Sequence, residues 1–326
     1  MYAAPAVAGD TVYVGSCFGF FYALDKNTGE VRWKYDTKQG GSPAQFHGSP
    51  LFSGELVITG SDRSDKGYVY AFEQETGEVR WKTAAGGIET DLLQFRGTVI
   101  GVASGGKLVS LDLKTGEIKW KFSPKTRPYK RFSSETPALS ENMLYFGGPD
   151  GHVYALKAAS GEVAWKRNLQ GRILTPLRSI GPHLFAGVRE GKIYRLNRKT
   201  GAINAEMETE AFPHHSLVYS DGFLLVLLGE STLVCLDQNL ETVRWKYTTD
   251  GEWSTFFPLI VDDTVIVGND KGDLFALHRE DGKVVRRYHP GGVLRGLGKD
   301  AGVIYVGTLK GLVHALRLNG AAEKCE

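Results

Sequence analysis

The histidine and acidic side chains of the sequence could together hold a metal ion. His214 and His215 are adjacent, and neighbouring residues of a strand point to opposite faces, so they do not form a natural pair of ligands. His47 and an acidic residue, Asp91 or Glu135, would complete a site only if several loops met in a central funnel. Ordinary polar loop residues explain the same pattern more simply. We therefore predict no metal site.

Other catalytic patterns are missing or incomplete. The sequence has no Gly-x-Ser-x-Gly elbow and no phosphate-binding loop. Cys17, Cys235 and Cys325 are far apart and contain no Cys-x-x-Cys pair, so no metal or redox motif is indicated, although one disulfide is compatible with them. Residues 62–67 resemble a calcium loop but lack its alternating acidic residues and closing glutamate. We predict that the chain is not an enzyme.

Binding of a protein or peptide is the chemistry that the remaining residues favour. Arginine and large aromatic side chains are enriched at binding hot spots, and loops on rigid scaffolds commonly carry binding. Three loops are longer than a turn requires or contain more aromatic and charged side chains than a turn needs. They span residues 37–47, 123–132 and 250–257. Trp253 and Phe256 either contact a partner or fill the centre of the fold. The candidate binding residues are Trp253, Phe256, Arg127, Tyr129, Arg131, His47, Arg172, His215 and Arg295.

The composition is that of a soluble globular protein, with 42% hydrophobic and 23% charged residues. Its 39 basic and 37 acidic residues leave a net charge of +2, which argues against nucleic acid as a partner despite the basic and aromatic loop at 123–132. No apolar stretch is long enough to predict a membrane span. The first residues lack the pattern of a signal peptide.

A repeat of about 40 residues must position these loops. The segment Tyr22–Asp25 recurs along the whole chain, and each copy combines four short strands with glycine-rich turns. Four antiparallel strands per repeat make one propeller blade, and no helical periodicity survives across a copy. We therefore predict an all-β chain, an eight-bladed β-propeller of four-stranded antiparallel blades that forms a single domain over 1–326. The second residues of the recurring segments, called markers below, are Ala23, Ala71, Ser110, Ala155, Arg195, Cys235, Ala276 and Ala315.

A glycine follows the marker by six residues in most copies, and a tryptophan follows that glycine by four. Glycine permits the positive φ of a tight turn, and a small marker leaves room for an aromatic ring from an adjoining blade. The fifth copy has Ala205 for the tryptophan, the sixth Glu241 for the glycine, and the seventh Arg286 for the tryptophan. The residues predicted to dock the blades are Trp33, Trp81, Trp120, Trp165, Trp245, Gly29, Gly77, Gly116 and Gly161.

The pattern Ala-x-Asp-x-x-Thr-Gly-x-x-x-Trp, seen from Ala23 to Trp33, resembles the pyrroloquinoline-quinone-like (PQQ-like) repeat family over essentially the whole chain. The resemblance implies an eight-bladed propeller in which each tryptophan docks against a neighbouring blade. That family includes quinone-dependent dehydrogenases, outer-membrane assembly lipoproteins of the BamB type, and sensor domains attached to kinases. The dehydrogenases carry adjacent cysteines and a calcium set of Glu, Asn and Asp. This chain has no adjacent cysteines and no long insertion, so we expect no cofactor.

A non-catalytic scaffold that binds a protein or peptide through one loop face is the function we predict from the sequence. The alternatives are a ligand-sensing domain of a larger receptor or kinase and, less favoured, a PQQ-dependent dehydrogenase. We expect a monomer in the periplasm, the cell envelope or the extracellular space. The eighth copy has no convincing outer strand, so we expect the last blade to be incomplete or closed by a strand that precedes Met1.

Overall fold

The computed structural model describes residues 4–38, 44–62, 66–88, 90–124, 136–173, 175–254 and 257–317, and of residues 214–216 it describes only the backbone. Within these ranges the chain forms 31 strands and no helix. The strands form eight antiparallel sheets, each a sequential meander. The fold is therefore an all-β, eight-bladed β-propeller, which confirms the fold that the repeat predicts.

The chain divides into two compact units. The first comprises Met1–Ser123, Lys130–Ser134 and Arg295–Glu326, and the second comprises Pro124–Tyr129 and Glu135–Leu294. The first unit contains β1 (Ala6–Ala8), β2 (Thr11–Gly15), β3 (Phe20–Asp25), β4 (Val31–Asp36), β5 (Leu51–Ser53), β6 (Leu56–Gly60), β7 (Tyr68–Glu73), β8 (Val79–Ala84), β9 (Leu93–Phe95), β10 (Thr98–Ala103), β11 (Lys107–Asp112), β12 (Ile118–Phe122) and, after the second unit in sequence, the sheet that starts at Leu294.

The second unit contains four complete sheets, followed in sequence by the last three strands of the chain. Its strands are β13 (Ala138–Ser140), β14 (Met143–Gly147), β15 (His152–Lys157), β16 (Val163–Asn168), β17 (Arg178–Ile180), β18 (His183–Val188), β19 (Lys192–Asn197), β20 (Ile203–Glu208), β21 (Pro213–Ser220), β22 (Phe223–Leu228), β23 (Thr232–Asp237), β24 (Val243–Thr248), β25 (Leu259–Val261), β26 (Thr264–Gly268), β27 (Leu274–His278) and β28 (Val284–Tyr288). The last strands are β29 (Leu294–Asp300), β30 (Val303–Thr308) and β31 (Val313–Arg317).

The hydrophobic core lies along the second and third strands of each sheet. In β22 five of the six residues are buried, whereas in β4 no residue is fully buried. A strand covered on both faces reads as a continuous apolar run, and a half-covered strand alternates. The sequence of β22, Phe-Leu-Leu-Val-Leu-Leu, is a continuous apolar run, whereas that of β4, Val-Arg-Trp-Lys-Tyr-Asp, alternates.

The Asp-x-x-Thr-Gly turn joins the third and fourth strands and is stabilised by the aspartate. Asp25 Oδ1 accepts the backbone N–H groups of Asn27 at 2.8 Å and Thr28 at 2.9 Å, and the N–H of Gly29 donates to the carbonyl of Asp25 at 2.9 Å. Gly29 has φ of 76°, a left-handed conformation that glycine adopts without steric cost. The motif therefore ends one strand and begins the next.

The eighth sheet has three strands, β29 to β31, within the described residues. In the first unit its strand β29 lies against the start of the chain, because the backbone of Pro5 leaves no room for a side chain at Gly298. Lys26 and Asp300 form an ion pair in the same region. The expectation that the last blade is incomplete, or closed by a further strand, stays a prediction.

Candidate functional site

Tryptophan and glycine from successive sheets meet in the first unit. Trp33 Nε1 donates a hydrogen bond to the carbonyl of Gln74 at 2.8 Å, and a Cβ added at Gly77 would lie 2.6 Å from the Trp33 ring. Trp81 stands in the same relation to Gly116, where the corresponding distance is again 2.6 Å. Each ring therefore fits against a turn of the next sheet only because that turn carries glycine.

The second unit repeats this contact. Trp165 Nε1 donates to the carbonyl of Arg198 at 3.2 Å, and Trp245 Nε1 donates to that of Arg279 at 2.8 Å. An added Cβ would lie 2.6 Å from the Trp165 ring at Gly201 and 2.5 Å from the Trp245 ring at Gly282. Each tryptophan lies opposite the marker of its own sheet and contacts the glycine of the following one.

The two departures in the fifth and sixth copies fall at a single contact. Ala205 stands where the tryptophan would be, opposite Arg195, and Glu241 stands at the glycine position of the next sheet. Arg195 Nη1 lies 3.5 Å from the carbonyl of Gln238 and 2.7 Å from Asn239 Oδ1. The Gln238 carbonyl occupies the same place in its sheet as the carbonyls that accept hydrogen bonds from Trp33, Trp165 and Trp245. Arg195, on the strand paired with that of Ala205, therefore takes the place of the missing indole.

For the remaining docking residues, Trp120, Gly161 and Gly29, no contact between a tryptophan ring and a glycine is described. Trp120 pairs with Ser110 across β11 and β12, and Gly161 has φ of 71°. A Cβ added at Gly29 would meet no described atom within 4 Å. Gly29 and Gly77 thus share one backbone conformation but differ in whether a tryptophan ring covers them.

Trp253 occupies a second repeated position, at the entrance to an inner strand. Its backbone N–H donates to the carbonyl of Glu230 at 2.7 Å, as that of Ile88 does to Ser61 at 3.0 Å. Isolated bridges join Ile88 and Ile173 to the second strand of the next sheet, and Trp253 to Asn269, directly after the second strand of its next sheet. Large apolar residues therefore recur at this position, a regularity that the sequence pattern based on glycine and tryptophan does not reveal.

The half-buried Trp253 ring packs against the core of the second unit. Its centroid lies 6.2 Å from that of Tyr247 and 6.3 Å from that of Phe275. Its Nε1 is buried and donates no hydrogen bond to a described residue. Of the two roles left open by the sequence, these contacts favour packing.

The other candidate binding residues are only partly described. Phe256, Arg127, Tyr129 and Arg131 lie outside the described residues, and His215 is described only by its backbone. The N–H of Arg172 donates to Glu190 Oε2 at 3.0 Å. Arg295 lies half-buried in β29. Arg172 and Trp253 belong to loops that precede different sheets.

His47 is held by a carboxylate in the first unit. Its Nδ1 lies 3.2 Å from Asp62 Oδ2, and the two side chains are 18% and 14% exposed. Burial lowers the pKa of His47, but Asp62 and Cys17 act in the opposite direction and raise it to about 9. The sequence singled out His47 as a contact residue, but neither of these partners.

A basic cleft in the first unit was also invisible in the sequence. Lys66, Lys107 and Lys121 line a cavity of about 670 Å³ together with Ser104 and Ser123. Among the described residues, no acidic side chain lines it. These lysines come from two sheets and three separate segments, so only the fold brings them together. The cleft has the charge to accept a carboxylate or another anion.

Exposed apolar side chains mark the same end of two sheets in the first unit. Phe18 is 74% exposed in the turn from β2 to β3, and Leu312 is 55% exposed in the turn from β30 to β31. In an antiparallel meander this turn lies at the end where the fourth strand leaves for the next sheet. We call the described residues 16–19, 44–50, 61–62, 66–67, 85–88 and 104–106 the loop face of the first unit.

The side chains described do not fit the quinone and calcium site of the dehydrogenases. Cys17 and Cys235 are free thiols, and burial raises the pKa of Cys235 to about 12. Across the described ranges no three His, Cys, Asp or Glu residues are grouped as metal ligands would be. Those same ranges contain no helix that is long and apolar enough to cross a membrane.

A sequence profile described as "Outer membrane protein assembly factor BamB" matches residues 2–64, 46–181 and 189–323. The chain belongs to this family. The BamB of Burkholderia pseudomallei is 27% identical to it over 321 residues, which cover 96% of this chain and 72% of that protein.

Solved structures share the fold at low sequence identity. BamB from Moraxella catarrhalis superposes with a TM-score of 0.80 at 18% identity and covers 95% of each chain. A quinohemoprotein alcohol dehydrogenase from Pseudomonas putida superposes with a TM-score of 0.73 at 14% identity, over 94% of this chain and 69% of that one. One fold therefore serves both an assembly factor and an enzyme, so function must be argued from the family and the surface.

Proposed function

We propose that this chain is a non-catalytic scaffold in the assembly of outer membrane proteins and that it binds partner proteins through its loop faces. The observation that carries the proposal is the family match, which extends over nearly the whole chain. A relative named as an outer membrane protein assembly factor aligns over 96% of the chain. The proposal implies a location in the cell envelope.

The blade contacts support a scaffold. Trp33 and Trp81 each join two sheets of the first unit by a hydrogen bond and a close ring contact. Such contacts fix the sheets, so the loops at their ends present side chains in a set arrangement. Rigid presentation lowers the entropy cost of binding.

The chemistry of the loop face of the first unit, and of the basic cleft that shares Lys66 and Ser104 with it, supports a protein partner. Phe18 offers an exposed aromatic ring, and the cleft of Lys66, Lys107 and Lys121 offers positive charge. An extended polypeptide segment with apolar and acidic side chains would satisfy both. Aromatic anchors supply most of the affinity of such contacts, and the charges supply orientation and association rate.

In-cell photo-crosslinking tests the proposed face. A photoreactive amino acid at position 18 should crosslink to a protein of the outer membrane assembly machinery. The same amino acid at position 27, in the exposed turn at the other end of β3, is the matched control and should not. Equal crosslinking from both positions, or none from position 18, would refute this face as the binding surface.

Charge reversal gives a second readout of the same face. Lys107→Glu together with Lys121→Glu should weaken co-purification of the crosslinked partner by about tenfold or more at low salt, because two charges in the cleft change sign. Lys114→Glu is the control, since Lys114 is exposed in the turn at the other end of the same sheet. Because Lys114→Glu changes the net charge by half as much, a loss half as large as that of the double variant would assign the effect to net charge rather than to the cleft.

A further inference from the structure

The basic cleft lies between the second and third sheets of the first unit. Ala85, which directly follows β8, lines one wall, and Lys107 and Val109 of β11 line the other. Lys121 of β12 pairs with Val109, so Lys107, Val109 and Lys121 share the face of the third sheet that lines the cleft. A volume of about 670 Å³ is enough to hold side chains of a bound ligand.

Aromatic rings fill the corresponding space between the first and second sheets. The ring centroid of Tyr70 lies 5.5 Å from that of Tyr35 and 5.8 Å from that of Phe46. Lys82 Nζ lies 4.2 Å from the centroid of the Tyr68 ring and 5.3 Å from that of Tyr70. The rings therefore occupy the gap and also contact the lysine of the fourth strand.

The second unit contains the same arrangement between its third and fourth sheets. The ring centroid of Phe275 lies 5.6 Å from that of Tyr247 and 6.3 Å from that of Trp253. Arg287 Cζ lies 5.3 Å from the centroid of the Phe275 ring. Its place in β28 is that of Lys82 in β8, so a cation of the fourth strand again lies against a ring.

Short side chains occupy the equivalent positions at the cleft. Thr83 takes the position of Tyr35 and Tyr247, two residues after the tryptophan. Val109 takes the position of Tyr70, directly before the marker. Where a large side chain is replaced by a smaller one, the surroundings close the gap only in part. The cleft is thus a junction between sheets from which two rings are missing.

The lysines at the cleft lack the partners that their counterparts have. Lys121 corresponds to Lys82, and Lys107 stands in the place of Tyr68. Within the described ranges, neither Lys107 nor Lys121 forms an ion pair or lies against a ring. By contrast, Lys119 on the same strand as Lys121 pairs with Asp112 at 3.1 Å. The cleft therefore offers two unpaired positive charges beside an apolar surface.

We propose that the basic cleft is a socket for an aromatic side chain of the bound polypeptide that has a carboxylate next to it. The ring would pack on Val109 and Ala85 and lie against Lys121, as the Tyr68 ring lies against Lys82. The carboxylate would pair with Lys107. The inference rests on the proposed function, since it names the kind of segment that the scaffold recognises.

Peptide titrations of the full chain test the socket. The probe is Gly-Ser-Phe-Glu-Ser-Gly, acetylated and amidated at its ends so that glutamate carries its only charge. Binding is followed by the NMR signals of carbon-13-labelled alanine methyl groups, because Ala85 and Ala103 line the cleft. These two signals should shift, whereas those of Ala155 and Ala186, which are buried in the second unit, should not.

Two altered peptides separate the ring from the charge. Alanine in place of the phenylalanine should weaken binding by about tenfold or more, because the apolar contact is lost. Glutamine in place of the glutamate should weaken it by about threefold or more at low salt. In a Lys107→Gln protein the glutamate and glutamine peptides should bind more nearly alike, because the charge has lost its partner.

A protein variant that fills the socket gives an independent readout. Val109→Phe returns a ring to the cleft and keeps both lysines, so it should weaken binding of the phenylalanine peptide by about tenfold. Val285→Phe is the control, since Val285 is 63% exposed on β28, and it should leave binding unchanged. The titrations of the parent protein do not depend on whether either variant folds.

Three results would overturn the proposal. One is the absence of shifts at Ala85 and Ala103 with about 1 mM of the phenylalanine peptide. Another is equal binding of the phenylalanine and alanine peptides, which would leave the cleft as a site of charge attraction alone. The third is unchanged binding to a folded Val109→Phe protein. Crosslinking from position 18 is measured separately, so failure of the socket and failure of the scaffold function can be told apart.

Discussion

Replacing Gly77 with alanine should cost far more stability than the same change at Gly29. Both glycines have a left-handed φ, of 75° and 76°, so both variants pay about 1–2 kcal/mol for the backbone conformation. Only Gly77 faces a ring, since its Cβ would lie 2.6 Å from Trp33. Carbon atoms pack at about 3.5–4.0 Å, so the sheets must move apart or the ring must leave its rotamer.

That displacement adds the cost of overpacking, about 1–3 kcal/mol. We therefore expect losses of about 1–2 kcal/mol for Gly29→Ala and about 2–5 kcal/mol for Gly77→Ala, measured by urea denaturation followed by far-ultraviolet circular dichroism. In a Trp33→Ala background the two alanine changes should become equal, because the ring is gone. Equal losses in the parent protein would refute the idea that glycine is there for the tryptophan.

Three further outcomes follow from the described contacts. Ala205→Trp alone should destabilise the protein by about 1–3 kcal/mol in thermal unfolding through overpacking, and adding Arg195→Ala with Glu241→Gly should recover most of that loss; no recovery would contradict the exchange of arginine for tryptophan. His47 stabilises the fold fully below its unfolded pKa of about 6.5, and this contribution disappears as the pH rises through about 9, so denaturation at pH 6 and pH 10 should show a loss on the order of 2 kcal/mol that His47→Gln lacks. Trp253→Ala should cost about 3–5 kcal/mol of stability, whereas Trp253→Phe should keep both stability and partner crosslinking; a folded Trp253→Phe protein that loses crosslinking would show that the indole contacts the partner.

The fold was predictable because its signals are local. Turn chemistry around Asp25 and Gly29, alternation in the outer strands and apolar runs in the middle strands all lie within one copy, and each copy repeats them. The pairing of Trp33 with Gly77 is not local, since it joins one copy to the next. For the same reason Ala205 and Glu241 look like two unrelated departures in sequence, although they meet at one contact.

The candidate site was predicted far less completely. His47 stood out as a polar residue in a long loop, but its partners Cys17 and Asp62 come from turns of two different sheets. The lysines of the basic cleft are likewise separated in sequence, and a lysine alone carries no signal of a site. Trp253 is the one tryptophan of six that is not at a docking position, and the position that it does follow is occupied by isoleucine in other copies.

The abundance of outer membrane proteins in cells that lack this chain tests the scaffold function most directly. A strain without the gene should contain less of its outer membrane proteins in mass-spectrometric quantification of the outer membrane, and the parent chain should restore them. The variant with Lys107→Glu and Lys121→Glu should restore them less well than Lys114→Glu at equal expression. Unchanged outer membrane protein levels in the deletion strain would contradict a role of this chain in their assembly.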